Sequence, residues 1–249
     1  TGATVTYSWT TSVSGSVSGA SGGTGNTISQ TLTNNSDEIG VVTYIITPYI
    51  GDCSGTAVTA TVTVAPRGKV TPLNNITYCH NEVTPITTFS TSIANGTVTY
   101  AWTNSNTNIG LVSSGITEIP SFTAKNANSA PIHGTIKVTP TNNYSEGANS
   151  VTCVGQPMNF NIFVNPLGQV NPISDLTVCD ADHAVVNFST TSTGGTTTYA
   201  WEHTNTTIGL ATPGSGNISF TATNIENNQI NSVFTVTPTF IYNDTNCSG

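Results

Sequence analysis

Hydrophobic and polar residues alternate in short runs along this chain, and the runs return in the same order. Val98, Tyr100 and Trp102 fall on one side of residues 97–103 while Thr97, Thr99 and Thr103 fall on the other, which is the period of a half-buried strand. Val5, Tyr7 and Trp9 repeat the apolar side, and Tyr199-Ala200-Trp201 gives a third version of the segment. A second strand is predicted at Tyr44 and Ile46, again at Ile136 and Val138, and again at Phe234 and Val236. Each is followed by Thr-Pro, at 47–48, 139–140 and 237–238, and because proline removes a ladder donor the strand is expected to end there. A closing strand turns Val58, Ala60, Val62 and Val64 inward against Thr59, Thr61 and Thr63, with Phe160, Ile162 and Val164 in the matching inward places. No stretch shows sustained helical periodicity.

The repetition extends to other landmarks. Cys53 and Cys153 lie 100 residues apart, and so do Cys79 and Cys179. A register of about one domain length held across independent landmarks means tandem copies of one folding unit. The expected division is a partial copy at 1–66 lacking its first strands, a complete copy at 67–166, and a partial copy at 167–249 lacking its last strand. The chain therefore reads as a window cut from a longer one, with any export signal or anchor outside it, and none of its apolar runs approaches the length of a membrane span. About seven short strands per copy with one buried tryptophan in a central strand predict an all-β fold of Ig-like antiparallel β-sandwich repeats. Short linkers, Val64-Ala65-Pro66-Arg67-Gly68 and Val164-Asn165-Pro166-Leu167-Gly168, carry a proline that favours an extended path, so the copies are expected end to end as a rod.

Charge narrows the partners. Only 6% of residues are charged, 36% are hydrophobic, and the net charge is −8. Such a chain can bury cores and is not disordered. Nucleic acid and anionic membrane surfaces gain nothing from it, so neither is an expected partner. The five cysteines recur at equivalent places and suggest disulfides in an oxidising compartment. Two pairings are open. One closes each copy, Cys79 with Cys153 and Cys179 with Cys247, leaving Cys53 to a residue outside the chain. The other joins neighbours, Cys53 with Cys79 and Cys153 with Cys179. The first is favoured because it needs no particular angle between copies.

Candidate chemistry is sparse. Cys79-His80-Asn81-Glu82 becomes Cys179-Asp180-Ala181-Asp182-His183, so the spacing of a zinc site is not kept. Asp180 and Asp182, with Glu202 or His203 nearby, could offer oxygen ligands to calcium, but an ordinary solvated turn is the simpler reading, since no loop has the glycine and bidentate glutamate of a dedicated calcium motif. No metal or cofactor is expected. No glycine-framed nucleophile elbow occurs, and carboxylates few and scattered disfavour a glycosidase pair, so no catalytic residue is assigned. Trp9, Trp102 and Trp201 could stack on sugars, yet their inward alternation makes them core residues. The stretch from Pro140 to Cys153 is longer than its counterparts after Pro48 and Pro238, which predicts an end loop at 142–152 with Tyr144 and Glu146 as its first candidate contacts. The sequons Asn95-Gly96-Thr97 and Asn205-Thr206-Thr207 are expected by chance in so Asn- and Thr-rich a chain.

The recurring Tyr-x-Trp-Thr, Ile-Gly-Leu at 109–111 and 208–210, Ser-Phe-Thr-Ala at 121–124 and 219–222, the Val-Thr-Pro strand ends and Val-Asn-Pro at 164–166 together resemble a known repeat class. It is the PKD-like repeats of large Bacteroidetes cell-surface proteins, notably SprB-type gliding-motility adhesins. The first copy departs from the pattern, with a Gly/Ser-rich stretch at 12–25 where the others carry Ile-Gly-Leu. The resemblance implies type IX export, display on the outer-membrane exterior, and adhesion during surface movement. The function expected is a non-catalytic stalk and multivalent adhesive surface. Its partners would be the neighbouring repeats, surface polysaccharide or other filament chains. The alternative is a spacer or carbohydrate-binding module of a secreted polysaccharide-degrading enzyme.

Overall fold

The computed structural model describes residues 4–249, so the first three residues of the first copy lie outside it. Its strands fall into three successive groups. The first holds β1 (Val5–Ser14), β2 (Val17–Ser18), β3 (Gly23–Thr24), β4 (Thr33–Asn34), β5 (Gly40–Ile50), β6 (Cys53–Ser54) and β7 (Val58–Val64). The second holds β8 (Ile76–Cys79), β9 (Thr97–Asn104), β10 (Ser114–Ile116), β11 (Ile132–Glu146), β12 (Asn149–Val154) and β13 (Met158–Asn165). The third holds β14 (His183–Val186), β15 (Thr196–His203), β16 (Gly214–Ser215), β17 (Ile218–Thr221), β18 (Phe234–Tyr242) and β19 (Thr245–Ser248). Among the described residues the helical content is two single 3-10 turns, at Thr107–Ile109 and Thr206–Ile208.

Each group builds a main sheet around one long central strand. The orders are β3-β1-β5-β6 with β7 also on β5, β10-β9-β11-β13-β8 with β12 on β11, and β16-β15-β18-β19. A thinner layer faces each. In the third copy it is the β14–β17 pair, and in the second it is chain held by the bridges Val83–Thr123 and Thr87–Ile119. The result is an all-β, Ig-like sandwich.

The alternation read from the sequence places the core. On β9, Trp102 and Asn104 are buried and Val98 and Tyr100 half-buried, while Thr97, Thr99 and Thr103 are exposed. Trp102 packs with Ile109, Leu111, Ile136, Val138 and Phe160, and its indole N–H donates to the Glu118 carbonyl at 3.0 Å. Trp9 and Trp201 are buried in the same way, their indoles donating to Ser21 and Gly216 carbonyls. A glycine lies flat against each ring: a Cβ on Gly23, Gly115 or Gly214 would come within 2.8, 2.4 and 2.1 Å of the indole. These glycines follow their tryptophans at nearly constant spacing, a signal present in the sequence that strand periodicity does not pick out. In the first copy only Trp9 of its β1 trio is buried, and Val5 and Tyr7 are exposed.

On β7, Val58, Ala60 and Val62 are exposed where the alternation put them inward, and two further expectations are corrected. The Thr-Pro pairs do not end their strands: β5, β11 and β18 run on through Pro48, Pro140 and Pro238. β11 pairs with β13 over Ile132–Val138 and with β12 from Thr141, so Pro140 sits where one side of the strand changes partner. The Pro140 carbonyl faces that side, accepting from Gly155 at 2.9 Å. The missing N–H therefore falls in a gap where no ladder bond is needed. The second correction is that the sheet of the second copy is not wholly antiparallel. β8 runs parallel to β13, with Ile76 opposite Ile162 and Cys79 opposite Asn165.

Candidate functional site at the junctions between copies

The direction of β8 decides where the cysteines go. Running beside β13, it carries Cys79 to the exit end of the second copy, where the His80 amide donates to the Asn165 carbonyl at 2.9 Å. Cys153 lies at the entry end, its carbonyl accepting from the Gly68 amide of the incoming linker at 2.9 Å. The seven residue steps of β13 between these ends amount to roughly 23 Å, far beyond the Cα separation of under about 7 Å that a disulfide tolerates. The structure accordingly joins Cys79 to Cys247, with Cα atoms 5.5 Å apart, and leaves Cys53, Cys153 and Cys179 as thiols. Neither pairing expected from the sequence, 79–153 with 179–247 or 53–79 with 153–179, is the one formed. The bond crosses the junction between the second and third copies.

Around that bond the junction is packed. Asn165 is fully buried and its side-chain amide donates to the Tyr242 carbonyl at 3.1 Å, while the Phe163 and Tyr242 rings meet edge to face at 5.9 Å. On the far side the Thr193 amide donates to Ser129 at 2.8 Å. The linker is not a free tether: Pro166 and Gly168 are buried, and the Gly168 amide donates to the Cys247 carbonyl at 2.9 Å.

The first junction uses the same frame with other contacts. Pro66 and Gly68 are buried, and the fully buried Asn142 donates to the Pro66 carbonyl at 3.0 Å. Lys69 Nζ pairs with Asp37 at 2.8 Å, Ser92 donates to the same carboxylate, and Asn95 donates to Glu38 at 2.8 Å. The hydrogen bond from Lys69, then that from Ser92, holds the Asp37 carboxyl below its ordinary value. Arg67 reaches the Val154 carbonyl at 3.0 Å.

The polar residues considered as ligands are spent on turns. Glu82 and Asp182 accept from the amides of Cys79 and Cys179, three residues back, at 2.8 and 3.0 Å. His80 Nδ1 accepts from the Asn126 amide at 2.9 Å and Asp180 from the equivalent Asn224 amide at 2.8 Å, which explains how histidine and aspartate exchange at one position. His203 is buried, stacked on Phe234 and bonded to Ser232, and Glu202 is exposed on the other face of β15. These groups do not converge, and among the described residues no three of His, Cys, Asp or Glu do. Asn205 caps a 3-10 turn by accepting from Thr207.

Residues 142–152 are not a loop. β11 continues to Glu146, turns at Gly147 and Ala148, and returns as β12, with Tyr144 opposite Val151. Tyr144 and Glu146 share one face of this hairpin, the phenol donating to the carboxylate at 3.3 Å. Local desolvation and the neighbouring Glu146 charge raise the Tyr144 pKa. The hairpin offers strand edges and small polar side chains rather than a cavity.

A family model described as a PKD-like domain matches residues 1–68. Among curated proteins none matches the chain. Among solved structures the chain is similar to the crystal structure of the chicken CNTN1 FN1-FN3 domains, at 11% identity, covering 97% of this chain and 85% of that one with a TM-score of 0.28, a likeness too distant to carry argument.

Proposed function

We propose that this chain is a non-catalytic length of an extracellular, surface-displayed adhesin or filament, in which sandwich copies form a stalk that presents many similar flanks. The observation that carries this reading is the construction of the junctions. The proline and glycine of each linker are buried, and one junction is covalently closed by Cys79–Cys247, which is what a chain needs if its copies are to hold position rather than swing. The disulfide agrees with an oxidising compartment outside the cytosol. The match of residues 1–68 to the PKD-like domain and the resemblance of the repeat motifs to SprB-type adhesins support placing the stalk on the outer surface of a bacterium, exported by the type IX route and used in attachment or gliding. Its permanent partners are neighbouring copies, and its transient ones are surface polysaccharide or other filament chains, each weak contact multiplied by the number of copies.

Labelling living source cells with a fluorescent antibody against residues 67–166 tests the reading. Fibres on the cell surface, travelling along it in a gliding cell, are the expected result. Signal confined to the medium together with a polysaccharide-degrading activity would overturn it in favour of an enzyme's spacer module.

A further inference from the structure

The Cys79–Cys247 bond joins the first cysteine of one copy to the second cysteine of the next, and both halves of its setting recur. The turn that offers Cys79 is rebuilt around Cys179. In each, a carboxylate three residues on accepts from the cysteine amide, and the amide two residues on donates to Ala124 or Ala222. Asn81 and Ala181 take the same left-handed conformation, φ 68° and 65°. The strand end that receives the bond is rebuilt around Cys153 and Cys53. Two residues after each second cysteine a glycine amide donates to the central proline carbonyl: Gly55 to Pro48, Gly155 to Pro140 and Gly249 to Pro238, at 2.8 to 2.9 Å. At Cys153, as at Cys247, the linker glycine is bonded to the cysteine carbonyl. Exposure grades with how much of this setting is present. Cys247, bonded and in a junction, is 1% exposed, Cys153 in a junction without the bond is intermediate, and Cys53 with neither is exposed.

We propose that the bond is a repeating device: in an array of these copies, the first cysteine of each copy is bonded to the second cysteine of the copy that follows. This rests on reading the chain as part of such an array. Cys153 is the receiving thiol for a first cysteine belonging to the copy that ends at residue 66, Cys53 is the receiving thiol for the copy before that, and Cys179 is the giving thiol for the copy after residue 249. The place of the strand that would serve Cys153 is visible. β13 is flanked by β8, but among the described residues β7, its counterpart, pairs only with β5, and Val58 and Val62 on it are 60% and 40% exposed. A strand set on β7 in the register that β8 takes on β13 puts its cysteine opposite Ala65, three residues before the glycine bonded to Cys153. Formation takes two thiols to one disulfide, and the two electrons and two protons pass to an oxidised dithiol or to oxidised glutathione, which becomes two thiols.

The test completes the first copy. The full chain is extended ahead of Thr1 by a copy of residues 67–93, which brings a cysteine and keeps Tyr7-Ser8-Trp9 in phase with Tyr100-Ala101-Trp102. A second version carries a copy of residues 167–192 instead. Each is oxidised in a glutathione buffer and its disulfides are mapped by non-reducing digestion. The expected result is the added cysteine bonded to Cys153, which becomes inert to alkylation, with Cys79–Cys247 in the same digest showing that the remainder has folded. In the unextended chain Cys153 alkylates. Cys153 still alkylating in both extended chains while Cys79–Cys247 persists would overturn the proposal, as would an added cysteine bonded to Cys53. The outcome does not depend on where the protein lies on a cell, so the stalk reading and the bonding rule fail separately.

Discussion

At the junction between the first and second copies the locking contacts are polar and open to water; between the second and third they are aromatic and covalent. The frame beneath them is the same. Gly68 and Gly168 are buried against Pro140 and Pro238, and each donates to the carbonyl of the second cysteine of the copy it leads into. What differs is the lock: Lys69–Asp37, Ser92–Asp37 and Asn95–Glu38 on one side, Cys79–Cys247 with Phe163–Tyr242 on the other. A glycine that lets two backbones touch fixes where the copies meet, and side chains around the seam set how strongly. A side chain at either glycine would press on backbone of the central strand, whereas the lock can vary from one junction to the next.

The largest effect should come from removing the covalent lock. Cys79 and Cys247 are separated by 168 residues, and the chain-entropy model assigns closure of such a loop about 5 kcal/mol. Reduction, or Cys247→Ser, is expected to lower the melting transitions of the second and third copies and leave the first copy's unmoved, as read by calorimetry with and without reductant. Gly68→Ala and Gly168→Ala probe the shared frame. The new Cβ would lie 2.5 Å from the Pro140 carbonyl oxygen and 2.2 Å from that of Pro238, backbone atoms that cannot step aside. Each is expected to cost about 1–3 kcal/mol, as overpacking does, and denaturation showing a loss at one site alone would break the equivalence of the junctions.

Smaller effects separate the locks. Tyr242→Ala removes the edge contact with Phe163 and is expected to cost about 1 kcal/mol beyond the area lost, at the second junction only. Asp37→Ala should cost the first junction less than about 1 kcal/mol, since Lys69 and Asp37 are 54% and 34% exposed. Its pH dependence has a definite sign. The folded Asp37 carboxyl lies below its ordinary 3.8, so its contribution is complete above that value and is lost as the pH falls through the folded one. Acid titration of the first junction, followed by cross-linking of Lys69 to the first copy, is expected to show this loss in the wild type and not in Asp37→Ala.

Much of the fold was legible because it rests on periodicity. Thr97 to Thr103 announce a two-faced strand, and the tryptophans lie where the alternation puts them. Three features were not. Prolines in mid-strand read as strand ends because the sequence does not show that the strand changes partner there. The parallel course of β8 leaves no mark on a four-residue segment, and without it the two cysteines of a copy look like natural partners although they lie at opposite ends. The stretch at 142–152 read as a loop because it is longer than its counterparts after Pro48 and Pro238, yet the added residues extend the ladder in register against β12. The junction was partly legible: the linkers stood out by their prolines, but it is the glycine after each that makes the contact.

The bond between Cys79 and Cys247 also changes what happens when the two ends of the chain are pulled. Tension travels by the shortest covalent route, which enters at Cys79 and leaves at Cys247, bypassing the 168 residues of sequence separation between them. At 3.3–3.6 Å per extended residue, about 550–600 Å of slack stays out of the load path even if the sandwiches inside the loop come apart. The second and third copies can thus lose their fold under strain without the tether lengthening by more than the stretches outside the bond.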